Sequence, residues 1–256
     1  MNIEETKNIT LSLIDTFKKA SQIALDLRKA GLIKEIKSDN TPVSNGDIEV
    51  NKILTNKIQE ITPNISIVSE ESNNNKSDKN LKNFWLIDPI DGTRDYINNR
   101  DEFTLNAALI LNKKPVIGII TAPAKGRVFY SYGLSNSYEL INGNEIPLMD
   151  KEKNYKGLTA VSYSNELKPE ILTIHKKYKI ISHQKMKSSL KFCVIAAGEF
   201  DMYVAEPRAC EWDIAAGHAI LEHAGGKITD FNGDKIFYGK PGFKNPSLIL
   251  KNKNIL

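Results

Sequence analysis

Apolar positions near the start of the chain fall on one stripe of a helix. Leu11, Ile14, Phe17, Ile23, Ala24 and Leu27 recur at helical spacing, and Gly31 supplies a stop. A second helix is predicted to begin at Ser44, with Asp47 at the capping-box position and Ile48, Ile53, Leu54, Ile58 and Ile61 on its apolar face. The pattern then shortens into strand-like runs. Residues 65–68 form one; residues 84–87 (Phe-Trp-Leu-Ile) form a second that reads as fully buried and is ended by Pro89, which lacks an amide hydrogen. Four more strands are predicted at 104–111, 116–121, 128–132 and 137–141, with turns at Asn112-Lys113-Lys114 and Asn142-Gly143, the product being an antiparallel meander. From about residue 145 strands alternate with helices, among them 188–199 and 212–224, the latter stopped by Gly225-Gly226. These patterns divide the chain into an N-terminal α+β half, 1–145, and a C-terminal α/β half, 146–256. Residues 73–82 are polar and read as a mobile loop, and no internal repeat is visible.

The 256 residues suffice for a large core. A composition of 41% hydrophobic and 26% charged residues is that of a globular protein in water. The formal charge of +4 is spread along the chain, which suits a small anionic ligand and argues against nucleic acid as a partner. Charged residues interrupt the first thirty positions, so no signal-peptide core is present, and no apolar run is long enough to span a membrane. Cys193 and Cys210, the two cysteines, have neither metal-site nor disulfide-framework spacing and are expected to be free thiols in a cytoplasmic protein.

Against that background three acidic clusters stand out. Asp88-Pro89-Ile90-Asp91-Gly92-Thr93 places two carboxylates on the bend after a buried strand, and Gly92 and Thr93 open a predicted helix whose amides face an anion. Hard oxygen ligands beside an anion hole meet the joint needs of a divalent cation and a phosphate. Glu70 and Glu71 again sit at a strand end, a position that by itself suits a solvated turn. Asp213, in Glu211-Trp212-Asp213-Ile214-Ala215-Ala216-Gly217-His218, lies in the first turn of a helix, where a carboxylate complements the dipole whether or not it binds metal. His218 reads as a packed histidine, since imidazole is not a Mg²⁺ ligand of choice, and Trp212 reads as core.

Taken together and in this order, Glu70-Glu71, Asp88-Pro-Ile-Asp-Gly-Thr93 and Trp212-Asp-Ile-Ala-Ala-Gly217 resemble the inositol monophosphatase-like superfamily of Mg²⁺-dependent, lithium-sensitive phosphatases. Lys37-Ser-Asp39-Asn-Thr41-Pro-Val-Ser44-Asn-Gly-Asp47 is similar to that family's N-terminal signature. The segments Ser188-Ser189-Leu190-Lys191-Phe192-Cys193, Trp212 to His218 and Tyr238-Gly-Lys240-Pro241-Gly-Phe243-Lys-Asn245-Pro246 look most like the bacterial 3′(2′),5′-bisphosphate nucleotidases of the CysQ type, with Lys187 where that family usually has glycine.

The resemblance implies a layered α/β/α/β/α sandwich, an α+β fold. It implies hydrolysis of the 3′-phosphate of adenosine 3′,5′-bisphosphate, and of 3′-phosphoadenylyl sulfate as a further substrate, with two or three Mg²⁺ ions. Carried over by position, Glu70, Asp88 and the Ile90 carbonyl hold one ion; Asp88, Asp91 and Asp213 hold another. Thr93 and Glu70 orient the attacking water, the amides of Gly92 and Thr93 hold the scissile phosphate, and Ser188, Ser189 and Lys191 face the nucleotide, beside Asp213. Glu71, Asp39 and Asp47 are outer groups or ligands of a third ion, Asp47 being weighed against its cap role. An inositol or other sugar phosphate is the alternative substrate, and a non-catalytic interaction protein the alternative class. A homodimer and a weak association with the cytoplasmic face of the inner membrane are compatible with the resemblance.

Overall fold

A computed structural model describes residues 1–38, 40–72, 74–76, 81–149 and 157–255. The chain opens with a long helix, α1 (Ile3–Ala30), which begins eight residues before the apolar stripe because Asn2 and Glu5 form a capping box. Leu11 lies on its exposed side, while Leu13, Ile14 and Phe17 carry the buried face. A short hairpin of β1 (Lys34–Ile36) and β2 (Pro42–Ser44) leads into α2 (Asn45–Ile61). Ser44 is the N-cap and Asp47 completes the capping box, as the sequence predicts, but Ile48 is 52% exposed and Val50, Leu54 and Ile58 carry the buried face.

A seven-stranded sheet follows: β3 (Ser66–Ser69), β4 (Phe84–Asp91), β5 (Thr104–Leu111), β6 (Lys114–Ala122), β7 (Arg127–Gly133), β8 (Asn136–Ile141) and β9 (Asn144–Pro147), side by side in chain order, with the short helix α3 (Thr93–Ile97) between β4 and β5. The predicted meander is present. Its turns at Asn112-Lys113 and Asn142-Gly143 take up positive φ at both central residues, the hand that matches strand twist. The β3–β4 pair is parallel and the rest antiparallel. Pro89 does not end β4 as predicted: the strand continues to Asp91, and the missing donor is absorbed by a register irregularity between Asp88 and Asp91.

The second sheet has the order β11-β10-β12-β14-β13. It comprises β10 (Leu158–Ser162), β11 (Ile180–Lys185), β12 (Met202–Ala205), β13 (Lys227–Thr229) and β14 (Leu248–Lys251), with α4 (Pro169–Lys177), α5 (Leu190–Ala196) and α6 (Glu211–His223) between them. The predicted helix over 188–199 starts late because Ser188 adopts φ +54 and cannot begin a right-handed turn, and α5 ends at Ala196, ahead of Gly198 at φ +73.

Both faces of the seven-stranded sheet are covered, so β4 reads as a continuous apolar run, and its alternation decides which side each residue serves. Trp85 and Ile87 join a core with Phe17 of α1 and Leu54 of α2. Phe84 and Leu86 join a second core with Phe192 of α5, Ile220 of α6 and Leu250 of the other sheet. A third, smaller core packs Ile171 and Ile174 of α4 against Val204 and Ile249. The layers therefore run helix, sheet, helix, sheet, helix, an α+β fold. Part of the predicted 73–82 loop lies outside the described residues. No helix among the described residues is long and apolar enough to cross a membrane.

Candidate active site

Because β3 and β4 are parallel, their C-terminal ends emerge together, and the acidic clusters ride on them. Glu70 follows β3, its amide bonded to the Ile87 carbonyl at 3.0 Å. Asp88 has the same parity as Phe84 and Leu86, which turns it toward α6. There Asp213, in the first turn, caps its own helix by accepting from the Cys210 amide at 2.7 Å. One oxygen from each of Glu70, Asp88 and Asp213 lies within 4.8 Å of the other two.

Three carboxylates so close, Asp88 buried and the other two partly so, repel one another. Burial, then Glu70, Asp91 and Asp213, push the Asp88 carboxyl well above its usual range. Asp213 is raised by burial, Asp91 and Glu70. Burial pushes Glu70 up to about 7, although Lys37 pulls it down. Asp88 Oδ1 is buried with no hydrogen-bond partner among the described residues. An orphaned oxygen inside an all-oxygen, negatively charged cage fits a hard divalent cation, which would supply the missing positive charge and the missing partner together.

Asp91 stands apart from the trio. Its Oδ2 accepts from the Ser189 amide at 2.5 Å, and burial raises its pKa against the opposing pull of Lys191, the Ser189 amide and Arg208. Thr93 Oγ1 lies 2.9 Å from Asp47 Oδ1 and 3.0 Å from the Ile90 carbonyl oxygen, and its single proton serves one acceptor at a time. Asp47 combines two tasks, since its Oδ2 accepts from the Ser44 amide at 2.8 Å and the Ser44 hydroxyl at 2.6 Å while Oδ1 meets Thr93. Gly92 holds φ +97, and a Cβ there would lie 2.8 Å from the Glu102 carbonyl oxygen, so the turn into α3 needs glycine twice over. The amides of Gly92 and Thr93 precede the first hydrogen-bonded turn of α3 and make no intrahelical bond. Glu71 is spent on Lys37, 2.5 Å away, rather than on the trio. Asp39 lies outside the described residues.

Ser188, Ser189 and Lys191 line a cavity of about 130 Å³ that also touches Asp91 and Asp213. Two of them turn their polar atoms inward. Ser189 Oγ donates to Asn106 Oδ1 at 2.7 Å, and the Lys191 ammonium donates to the Ser188 carbonyl, which fixes the left-handed residue there. Burial lowers the Lys191 pKa to about 8, against the opposing pull of Asp91. Lys187 lines no part of this cavity; its Nζ pairs with Asp95 Oδ2 at 3.2 Å.

Several supporting residues escape a sequence reading. Thr104 and Asn106 sit one strand period apart on β5 and brace Ser189; two polar residues in an apolar strand were the available signal. Glu211, fully buried, accepts from the amides of Gly239 at 2.7 Å and Lys240 at 2.9 Å, so the Tyr238 to Pro246 motif clamps the start of α6. Trp212 is only half-buried, against Phe243 at 5.8 Å, with Lys76 Nζ 5.0 Å over its ring, because that clamp leaves its outer side open. His218 is packed, its Nδ1 2.8 Å from the Tyr238 hydroxyl.

A parallel strand pair that delivers carboxylates toward a helix wedged between two sheets defines a class of proteins. The sequence model of the inositol monophosphatase family matches residues 5–255, and the chain belongs to that family. Within it, the chain is 36% identical over 205 residues to the 3′(2′),5′-bisphosphate nucleotidase CysQ of Buchnera aphidicola (subsp. Acyrthosiphon pisum, strain APS), covering 79% of this chain and 76% of that protein. It is 31% identical over 216 residues to the CysQ nucleotidase of Escherichia coli strain K12, covering 82% and 85%. The crystal structure of CysQ from Bacteroides thetaiotaomicron superposes with a TM-score of 0.76 at 27% identity, covering 98% of this chain and 99% of that one.

Proposed function

We propose that this chain is a metal-dependent phosphomonoesterase that removes the 3′-phosphate of adenosine 3′,5′-bisphosphate, with 3′-phosphoadenylyl sulfate as a second substrate. The observation that carries the reading is the trio of Glu70, Asp88 and Asp213, gathered around a buried Asp88 with its orphaned oxygen, in a chain similar to CysQ nucleotidases over about four-fifths of its length. Glu70, Asp88, Asp91, Asp213 and the Ile90 carbonyl are the groups that would hold Mg²⁺, in two or three ions. When bound, the ions supply positive charge to the attacking and leaving oxygens and lower the pKa of a water.

The chain's own groups do the rest. Thr93 Oγ1 donates to Asp47 Oδ1 and accepts a hydrogen bond from the attacking water, so that as the water gives its proton to Oγ1 the threonine proton passes to the Asp47 carboxylate. Asp47 is held for this by the Ser44 bonds and cannot rotate away. Glu70 orients the same water from the neighbouring strand end. The amides of Gly92 and Thr93 receive the phosphate oxygens, and glycine at position 92 lets the ester approach the backbone closely. Lithium inhibits by competing for a Mg²⁺ position.

Phosphate release from adenosine 3′,5′-bisphosphate and from inositol 1-phosphate, measured side by side with Mg²⁺, tests the reading. Preference for the nucleotide is expected. Preference for inositol phosphate would keep the chemistry and overturn the substrate, and release from neither would favour a non-catalytic role or an untested sugar phosphate.

A further inference from the structure

Three cations stand near the small cavity beside the acidic trio, and two already have a bonded partner. Lys187 is held by Asp95, and Lys191 is buried, donating to the Ser188 carbonyl. Arg208 is different. It is exposed, forms no ion pair among the described residues, and lies with its guanidinium carbon 3.5 Å from the centre of the Tyr163 ring. Arg208 and Tyr163 line both the cavity that reaches Asp91 and Asp213 and a neighbouring cleft of about 660 Å³ bounded by Leu167, Pro169 and Ile171. Tyr203, Ala205 and Glu206 also line both, so the two spaces adjoin along one wall with the stacked pair on it.

We propose that Arg208, pre-set by stacking on Tyr163, binds the second phosphate of the bisphosphate and thereby sets the substrate class, while the cleft beyond takes the nucleoside. This inference rests on the nucleotidase reading. A planar guanidinium offers two parallel donors to one phosphate, and a ring beneath it limits the freedom lost on binding. The Lys191 ammonium, with one of its three donors on the Ser188 carbonyl, lines the same cavity and supports the phosphate from its buried side, and Arg208 adds the exposed two-donor face.

The test compares kcat/KM for adenosine 3′,5′-bisphosphate with that for adenosine 3′-monophosphate in the wild type, Arg208→Gln, Arg208→Lys and Lys187→Met. The inference expects Arg208→Gln to cut the preference for the bisphosphate by about 10- to 100-fold, mostly in KM, with turnover of the monophosphate kept. Arg208→Lys should recover part of the preference, and Lys187→Met should retain it. If the wild type prefers the bisphosphate and Arg208→Gln preserves that preference, the assignment to Arg208 is overturned while the nucleotidase reading stands. If the wild type shows no preference, the bisphosphate reading falls and the second-phosphate site falls with it.

Discussion

At Asp88 one carboxylate oxygen is buried without a donor among the described residues, and burial, then Glu70, Asp91 and Asp213, push its pKa upward. Asparagine keeps the shape and removes the charge. Asp88→Asn should therefore lower kcat by about 10³-fold or more, because a cation-binding oxygen is lost, while the metal-free protein melts no lower than the wild type. Phosphate release and a thermal melt in chelator check the two halves; a variant that retains turnover would remove Asp88 from the metal site. Thr93→Ala should cost about 10²- to 10⁴-fold in kcat with little change in KM, and Thr93→Ser should restore most of it, since serine returns the hydroxyl to Asp47. At this scale the sequence was most legible where a residue ends an element: Glu70 after a strand and Asp213 in a first turn. It was least legible for Ser189 and Lys191, whose polar atoms point inward to Asn106 and the Ser188 carbonyl, contacts that depend on how β5 meets α5.

Among the elements, β6 and α6 touch more closely than side chains allow. A Cβ on Gly118 would lie 2.3 Å from the Ala216 carbonyl oxygen. Gly118→Ala must push α6 away from β6, and α6 carries Asp213. The expected loss is about 1–3 kcal/mol of stability by denaturant titration, accompanied by a raised Mg²⁺ requirement that an ordinary core mutation elsewhere would not produce. The elements themselves were largely readable, because both faces of the seven-stranded sheet are buried and its hairpins carry strong turn residues. Three misreadings have local causes: the Asn2–Glu5 box extends α1, a bulge carries β4 past Pro89, and the left-handed Ser188 delays α5. The layer order was not readable from periodicity, which reports that a face is covered and not what covers it.

For the molecule as a whole, the acidic trio links stability to pH. The folded-state pKa of Glu70, about 7, lies above its ordinary 4.5, so the folded state binds more protons than the unfolded one between these values. Stability from this group is present below about pH 4.5 and is lost as pH rises through about 7; Asp88 and Asp213 shift in the same direction. Mg²⁺ competes with those protons, so its stabilising effect should grow as they leave. At saturating Mg²⁺ we expect Tm to rise by about 5–10 °C at pH 8 and by much less at pH 5. Differential scanning calorimetry with Mg²⁺ and with chelator at both pH values checks this; equal shifts would mean that the ion binds elsewhere.

The wedging of α6 between the two sheets also bears on when the site comes into being. Glu70, Asp88 and Asp91 ride on neighbouring strands that can pair early, whereas Asp213 arrives only when a helix distant in sequence docks between layers. Contacts of such long sequence separation form slowly. In a refolding experiment, catalytic activity should therefore lag behind the recovery of secondary structure, a clock that times the docking of the second sheet. A chain arrested before that step would hold its carboxylates ready and have nothing with which to close the cage.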